Sequence, residues 1–258
     1  MGDERRRYLI QQMELGGSEV VLDRGAAPRA AAPAPTPESP AQAPPKWKKG
    51  APPIPGPGLT IEPPAPTLLA GDPLADLESL EAVAERIRAS ECCALCANRT
   101  NAVPGEGNPH AGLVFVGEGP GATEDATGRP FVGQAGKLLD DIIAAIELRR
   151  EDVYITNVVK CRPPQNRTPL PDETTACMPF LRRQLALLGP KVIVALGATA
   201  AAALLDTRKS LGDLRGKVHT YGGIPLVVTY HPAALLRNPN WKKPAWDDVR
   251  IARQLLDR

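Results

Sequence analysis

The sequence predicts an α/β fold, a parallel sheet covered on both faces by helices, and two features carry the prediction. Four short, almost wholly apolar runs ("GLVFVG", "DVYITNVV", "KVIVALG" and "IPLVVTYHP") alternate with segments of helical periodicity. Strands buried on both faces read as such unbroken runs, and strands that alternate with helices build a parallel sheet. This alternation starts only after Asp76, and what precedes it has a different composition.

Taken in order, Arg5 to Leu15 brings Tyr8, Leu9 and Met13 near one helical face, so residues 1–25 form a short helix-prone segment. Residues 26–75 form a Pro/Ala-rich linker. Fourteen of the 29 prolines lie between Pro28 and Pro66, and a stretch so poor in backbone donors and bulky side chains buries too little surface to offset chain entropy. It is expected to be disordered, an extended and semi-rigid spacer. Within it, "KWKKG" (Lys46 to Gly50) sets one tryptophan among three lysines. A solvated linker is the favoured expectation there, ahead of a segment that stacks on bases.

The domain itself is expected to span 76–258. Leu77 to Ala89 reads as a helix, and "GLVFVG" as the first strand. Gln134 to Leu148 is helical and "DVYITNVV" is the second strand. Asp172 to Leu188 is a helix with Asp172 as its N-cap. Lys191 to Gly197 is the third strand, followed by an Ala-rich helix. "IPLVVTYHP" is the fourth strand, and Trp246 to Leu255 closes the chain.

A net charge of +2 excludes a global basic field, so a nucleic-acid partner would have to be held by a local patch. The N-terminus lacks the apolar core of a signal peptide, since Gln11, Gln12 and Glu14 interrupt it, and no segment is long and apolar enough to span a bilayer. Five cysteines, an odd number, argue against a secreted disulfide framework. A cytoplasmic protein is expected, with no membrane attachment.

In parallel sheets ligands bind beyond the carboxyl ends of the strands, and here those ends carry "GEGPG", "TN" and "HP". Cys93 and Cys96 form a C-x-x-C pair, and Cys161 and Cys177 bracket a strand exit and the next helix. Four thiolates suit tetrahedral zinc or an iron–sulfur cluster equally well, and buried unrelated thiols are the alternative. Cys92 is the spare.

Five stretches, "GEGPGATEDATGRPFVGQAG", "VYITNVVKCRPPQNRTP", "ACMPFL", "KVIVALGATA" and "TYHPAALLR", together resemble the family-four uracil-DNA glycosylases of bacteria and archaea, which carry a four-iron, four-sulfur cluster. The likeness covers about Glu91 to Leu256. It implies a three-layer α/β/α fold with a central four-stranded parallel sheet, and a [4Fe-4S] cluster held by Cys93, Cys96, Cys161 and Cys177. The implied reaction is removal of uracil from DNA by cleavage of its bond to deoxyribose, which leaves an abasic site and belongs to base excision repair. A base inside a duplex is out of reach, so the nucleotide must be flipped out.

The resemblance also assigns roles. Gly117, Gly119 and Gly121 let the backbone approach the extruded nucleotide, and backbone groups of Glu118, Gly119 and Pro120 meet the base. Phe131 stacks on uracil. Asn157 reads its edge, donating to O4 and accepting from N3–H. His231 donates toward O2 as charge develops. Leu235 wedges into the duplex and Arg237 holds phosphate or minor groove. The resemblance assigns no water-orienting residue, since Gly119 stands where other uracil glycosylase families carry an Asp. Glu124 or Asp125 is the candidate to position water or to block a thymine 5-methyl group, with capping of the turn and helix as the alternative. Further phosphate contacts are expected from Lys160, Arg162, Arg167, Lys242 and Lys243. His110 and His219 are read as surface or packing residues.

The partners expected are uracil-containing DNA, single- or double-stranded, and a protein that meets the N-terminal segment; the chain is expected to act as a monomer. Two other readings compete: a glycosylase for another deaminated base, and a non-catalytic iron–sulfur DNA-binding module. The joint presence of Phe131, Asn157 and His231 speaks against the second. A redox sensor built on Cys92 has little beyond the extra thiol.

Overall fold

The computed structural model describes residues 45–55 and 71–258. The helix-prone segment 1–25, and residues 26–44 and 56–70 of the linker, lie outside the described residues.

The strands are β1 (Glu106–Gly107), β2 (Leu113–Gly117), β3 (Tyr154–Asn157), β4 (Val192–Leu196), β5 (Val218–Tyr221) and β6 (Ile224–Thr229). They form one sheet in the order β1-β3-β2-β4-β6-β5. Its inner four strands are parallel, as expected. The sheet has six strands rather than four because β1 and β5 add antiparallel edges. Register aligns Gly117 with Asn157 and Leu196 with Thr229, so the carboxyl ends of the parallel strands open on one rim.

Side chains alternate across each strand, which divides the core in two. Val114, Val116, Ile193, Ala195 and Val228 meet Leu181 and Leu185 of the long helix Pro171–Leu188. Phe115, Val194 and Val227 meet Leu139, Ile143, Val249 and Leu255 on the other face. The expected three layers are therefore present.

Among the described residues the α-helices are α1 (Leu80–Ala89), α2 (Ala122–Thr127), α3 (Gln134–Ala145), α4 (Pro171–Leu188), α5 (Ala198–Leu205), α6 (Leu211–Leu214), α7 (Pro232–Arg237) and α8 (Lys242–Leu256). Asp172 is not the N-cap of α4. Leu170 holds that position, and the Glu173 carboxylate accepts its N–H at 2.7 Å. Helix α8 starts four residues before the expected Trp246.

The "KWKKG" stretch is not solvated linker. Lys46–Lys48 forms a turn of 3-10 helix that buries Trp47. Arg250 on α8 donates to the carbonyls of Trp47 and Lys49, Gln254 donates to that of Pro52, and the Arg253 guanidinium lies over the indole. Residues 45–55 are thus a strap across the last helix. Composition could not reveal it, because its partners lie about two hundred residues away.

Candidate active site

A cleft of about 590 Å³ opens at the rim where β2, β3 and β6 end. Its wall includes Glu118, Gly119, Pro120, Phe131, Asn157 and His231. The structure therefore brings together the six residues that the sequence singled out for base contact.

Phe131 is fixed in an uncommon backbone conformation, φ 49°, which costs a non-glycine residue energy unless its surroundings hold it. Arg150 holds it by donating to the carbonyls of Pro130 and Phe131 at 2.6 and 3.1 Å. Arg150 is in turn anchored by Glu106 and Asp140. Burial opposes the charge on Glu106, but the Arg129 and Arg150 guanidinium groups outweigh it and hold the carboxyl below its usual range. Gly136 is required because a Cβ there would strike the Phe131 carbonyl oxygen at 1.9 Å. Neither Arg150 nor Glu106 was singled out from sequence, and "RRED" reads locally as surface charge.

Asn157 ends β3 and is buried. Its Oδ1 has no hydrogen-bond partner among the described residues, although a buried amide left unpaired costs about 1–3 kcal/mol. It lies beside Gly117 and the Phe131 ring, where a Cβ on Gly117 would meet Oδ1 at 2.3 Å and the ring at 2.5 Å.

His231 caps α7. Its Nδ1 accepts the Ala233 N–H at 3.2 Å, which leaves the ring proton on Nε2. Burial pushes its pKa down to about 4; Arg237 acts in the same direction and Glu124 opposes it. The imidazole is therefore neutral at pH 7 and can still donate. Its ring centroid lies 5.5 Å from that of Phe131.

Glu124 lines the cleft and spends both carboxylate oxygens on backbone N–H groups. One carboxylate oxygen accepts from Val132 N and Gly133 N, each at 2.9 Å, and the other from Gly121 N at 3.1 Å. It ties the two loops together around Phe131. Asp125 turns toward the backbone of Thr100 and Asn101. Glu118 accepts from the Thr199 hydroxyl.

Two expectations for DNA contact are overturned. Lys160, only 1% exposed, spends its ammonium on Thr156 Oγ1, the Asn157 carbonyl and Gln184 Oε1, each at 2.7 Å, and cannot reach a phosphate. Burial lowers its pKa to about 7. Leu235 is 1% exposed and packs inward, while Leu236 beside it is 45% exposed. A motif spacing names a turn of helix but not which side chain faces outward. Arg237 lines the cleft, and Lys242 and Lys243 are exposed. Arg167 lines it too but is paired with Glu173, and Arg162 bonds Asn166. Of the histidines read as packing residues, His219 bonds the Leu214 carbonyl.

Behind the site the five cysteines converge. Thiols of Cys92, Cys93 and Cys177 lie within 4.8 Å of one another. Cys96 Sγ is 4.0 Å from Cys92 and 3.8 Å from Cys161. Arg99 donates to Cys161 Sγ at 3.1 Å. An all-sulfur donor set on a short 3-10 turn, a strand exit and α4 can hold a soft metal or a cluster. Cys92, the spare thiol of the sequence reading, lies within this group.

The sequence profile of the Uracil DNA glycosylase superfamily matches residues 104–250. The type-4 uracil-DNA glycosylase of Thermotoga maritima is 53% identical over 70% of this chain and 96% of its own length. That of Sulfurisphaera tokodaii is 48% identical, over 69% and 86%. A type-5 enzyme from Thermus thermophilus is 38% identical, over 50% and 68%.

Proposed function

The chain belongs to the type-4 uracil-DNA glycosylases of the uracil DNA glycosylase superfamily, and from that membership we propose that it extrudes uracil from DNA and hydrolyses the bond between uracil N1 and deoxyribose C1′. Free uracil leaves and an abasic site remains, the opening step of base excision repair. The bond breaks with its electron pair passing to uracil. Water adds its hydroxyl to C1′, and its proton goes to the departing base or to solvent.

The observation that carries the reading is the buried Asn157 Oδ1, without a hydrogen-bond partner among the described residues, beside Phe131. Uracil stacked on Phe131 offers O4 to the Asn157 amino group and N3–H to Oδ1, and so satisfies the amide. Cytosine presents the reverse pattern and leaves groups unpaired, which is how a polar site rejects a wrong base. His231, with its ring proton on Nε2, donates to O2 and stabilises charge there as the bond breaks, while remaining neutral throughout. Glu124 and Arg150 act through Phe131, as residues that position it.

DNA is held by Arg237, Lys242 and Lys243, with Arg162 and Arg167 nearby. The wedge into the vacated stack is Leu236, whose side chain faces outward. Cys93, Cys96, Cys161 and Cys177 would hold a [4Fe-4S] cluster; an all-thiol set accepts zinc equally well, and it is the family membership that favours iron. Its contribution is structural, joining the segment before β1 to α4, because uracil hydrolysis transfers no electrons.

Incubating the purified protein with matched oligonucleotides containing uracil or thymine, followed by alkaline cleavage, tests the activity. Strand scission at uracil alone is expected. Equal scission at both bases, or none at uracil, contradicts it.

A further inference from the structure

Among the described residues the exposed large apolar side chains are Leu170, Leu236 and Trp241. Each lies close in sequence to a residue of the cleft wall: Leu170 follows Thr168, Leu236 precedes Arg237, and Trp241 is joined to that wall through Tyr230. Trp241 has the most built surroundings. Its indole stacks on the Tyr230 ring, with centroids 4.8 Å apart and planes 8° from parallel. The Arg215 guanidinium lies over the same tyrosine at 4.1 Å. The indole and the guanidinium thus both pack against the Tyr230 ring. Arg215 is fixed from below by Asp248, a buried carboxylate 2.7 Å away.

The result is a cluster of three planar groups, Arg215, Tyr230 and Trp241, tied to the buried Asp248 and including an indole that is 38% exposed. Tyr230 directly precedes His231, so the cluster stands at the edge of the cleft. Lys242 and Lys243 follow Trp241 and are both exposed. A flat aromatic face with its partners already ordered, beside cationic side chains, has the composition of a surface on which a base of a single strand stacks while its phosphates are neutralised.

We propose that Trp241 is a stacking platform for an unpaired nucleobase adjacent to the extruded uracil, and that it biases the protein toward uracil in single-stranded DNA. In a closed duplex neighbouring bases are stacked on one another and offer no free face, so the platform has no occupant there. The proposal rests on the reading of the cleft as a uracil site only for the identity of the strand. The platform itself is tested with uracil-free DNA.

The chain has three tryptophans, Trp47, Trp241 and Trp246, and Trp47, within the strap, is buried. Emission of the intact protein is followed while a uracil-free thymidine oligonucleotide or a closed hairpin duplex is added. The single strand is expected to quench emission strongly and the duplex weakly. In Trp241→Phe the quench disappears while single-strand affinity, measured by anisotropy of a labelled oligonucleotide, stays within about twofold, since a flat ring remains. In Trp241→Ala single-strand affinity falls about tenfold, within the range that base–aromatic stacking commonly supplies, and duplex affinity falls no more than about twofold. A quench that survives in Trp241→Phe overturns the platform. So does a Trp241→Ala variant that binds single strands as the parent does, or one that loses both substrates equally. Uracil release by the unaltered protein is scored separately, so failure of the activity leaves a different trace from failure of the platform.

Discussion

Asn157 and Lys160 stand at the same strand exit, are equally buried, and are treated in opposite ways. The Lys160 ammonium has three acceptors within 2.7 Å. Asn157 has its backbone carbonyl fixed by that lysine and its side-chain oxygen left without a partner among the described residues. The thiol side of β3 is thus satisfied internally, and the cleft side is left incomplete. A buried polar group without a partner is costly, and its persistence next to an ordered aromatic ring marks where a ligand supplies what the protein omits. The difference separates residues that build the site from residues that use it.

The largest expected effects belong to the builders. Cys161→Ser or Cys177→Ser should abolish soluble folded protein or strip it of iron, which in the parent should be about four atoms per chain with matching sulfide. Cys93→Ser should do the same, whereas Cys92→Ser should keep its iron. If Cys92→Ser loses iron and Cys93→Ser keeps it, the ligand set is shifted by one residue. Analysis that finds zinc instead of iron would remove the cluster from the account.

Next come the users. His231→Ala should slow single-turnover release about 10²–10³-fold, the usual cost of losing a donor to a developing anion. Binding to an uncleavable uracil analogue should fall much less. Equal losses in rate and binding would make His231 a structural cap of α7 rather than a stabiliser of the transition state.

Trp47→Ala should cost about 3 kcal/mol of stability, in the range for deleting a buried aromatic, read as a lowered denaturant midpoint. A chain that begins at Pro44 should keep the parent's midpoint, while one that begins at Leu59 should match Trp47→Ala or fall below it. Equal stability of the two truncations would mean that the strap contributes nothing.

The smallest effect is in pH dependence. The His231 pKa is depressed from 6.5 to about 4 by burial, so the neutral donor persists as pH falls past 6.5. Single-turnover rates should show no inflection near 6.5 and should decline only on approach to 4. The same depressed value means that stability from this group is complete above 6.5 and is lost as pH falls from there toward 4. An acid limb centred near 6.5 would indicate a solvated imidazole.

The four inner strands were legible because both of their faces are buried, so each appears as an unbroken apolar run. The edges were not. Glu106–Gly107 is two residues long, and "VHTY" is largely half-exposed and lacks an apolar run. Phe131, Asn157 and His231 were legible through five motif stretches in order. Lys160 was misread because its burial depends on Thr156 and Gln184, which are placed by tertiary packing. Leu235 and Leu236 were confused because motif order does not give helix phase. Arg150 and Glu106 left no local signal, since their importance lies in a contact with Phe131 that only the folded chain creates.

The central claim, that the open amide of Asn157 reads the base edge, is tested most directly by Asn157→Asp. Its carboxylate presents an acceptor to uracil O4, itself an acceptor, and a suitable partner to the cytosine amino group. Single-turnover release from matched oligonucleotides should fall by about 10²-fold or more for uracil, and release of cytosine should rise above the parent's. Unchanged uracil release in a folded Asn157→Asp protein would contradict the claim.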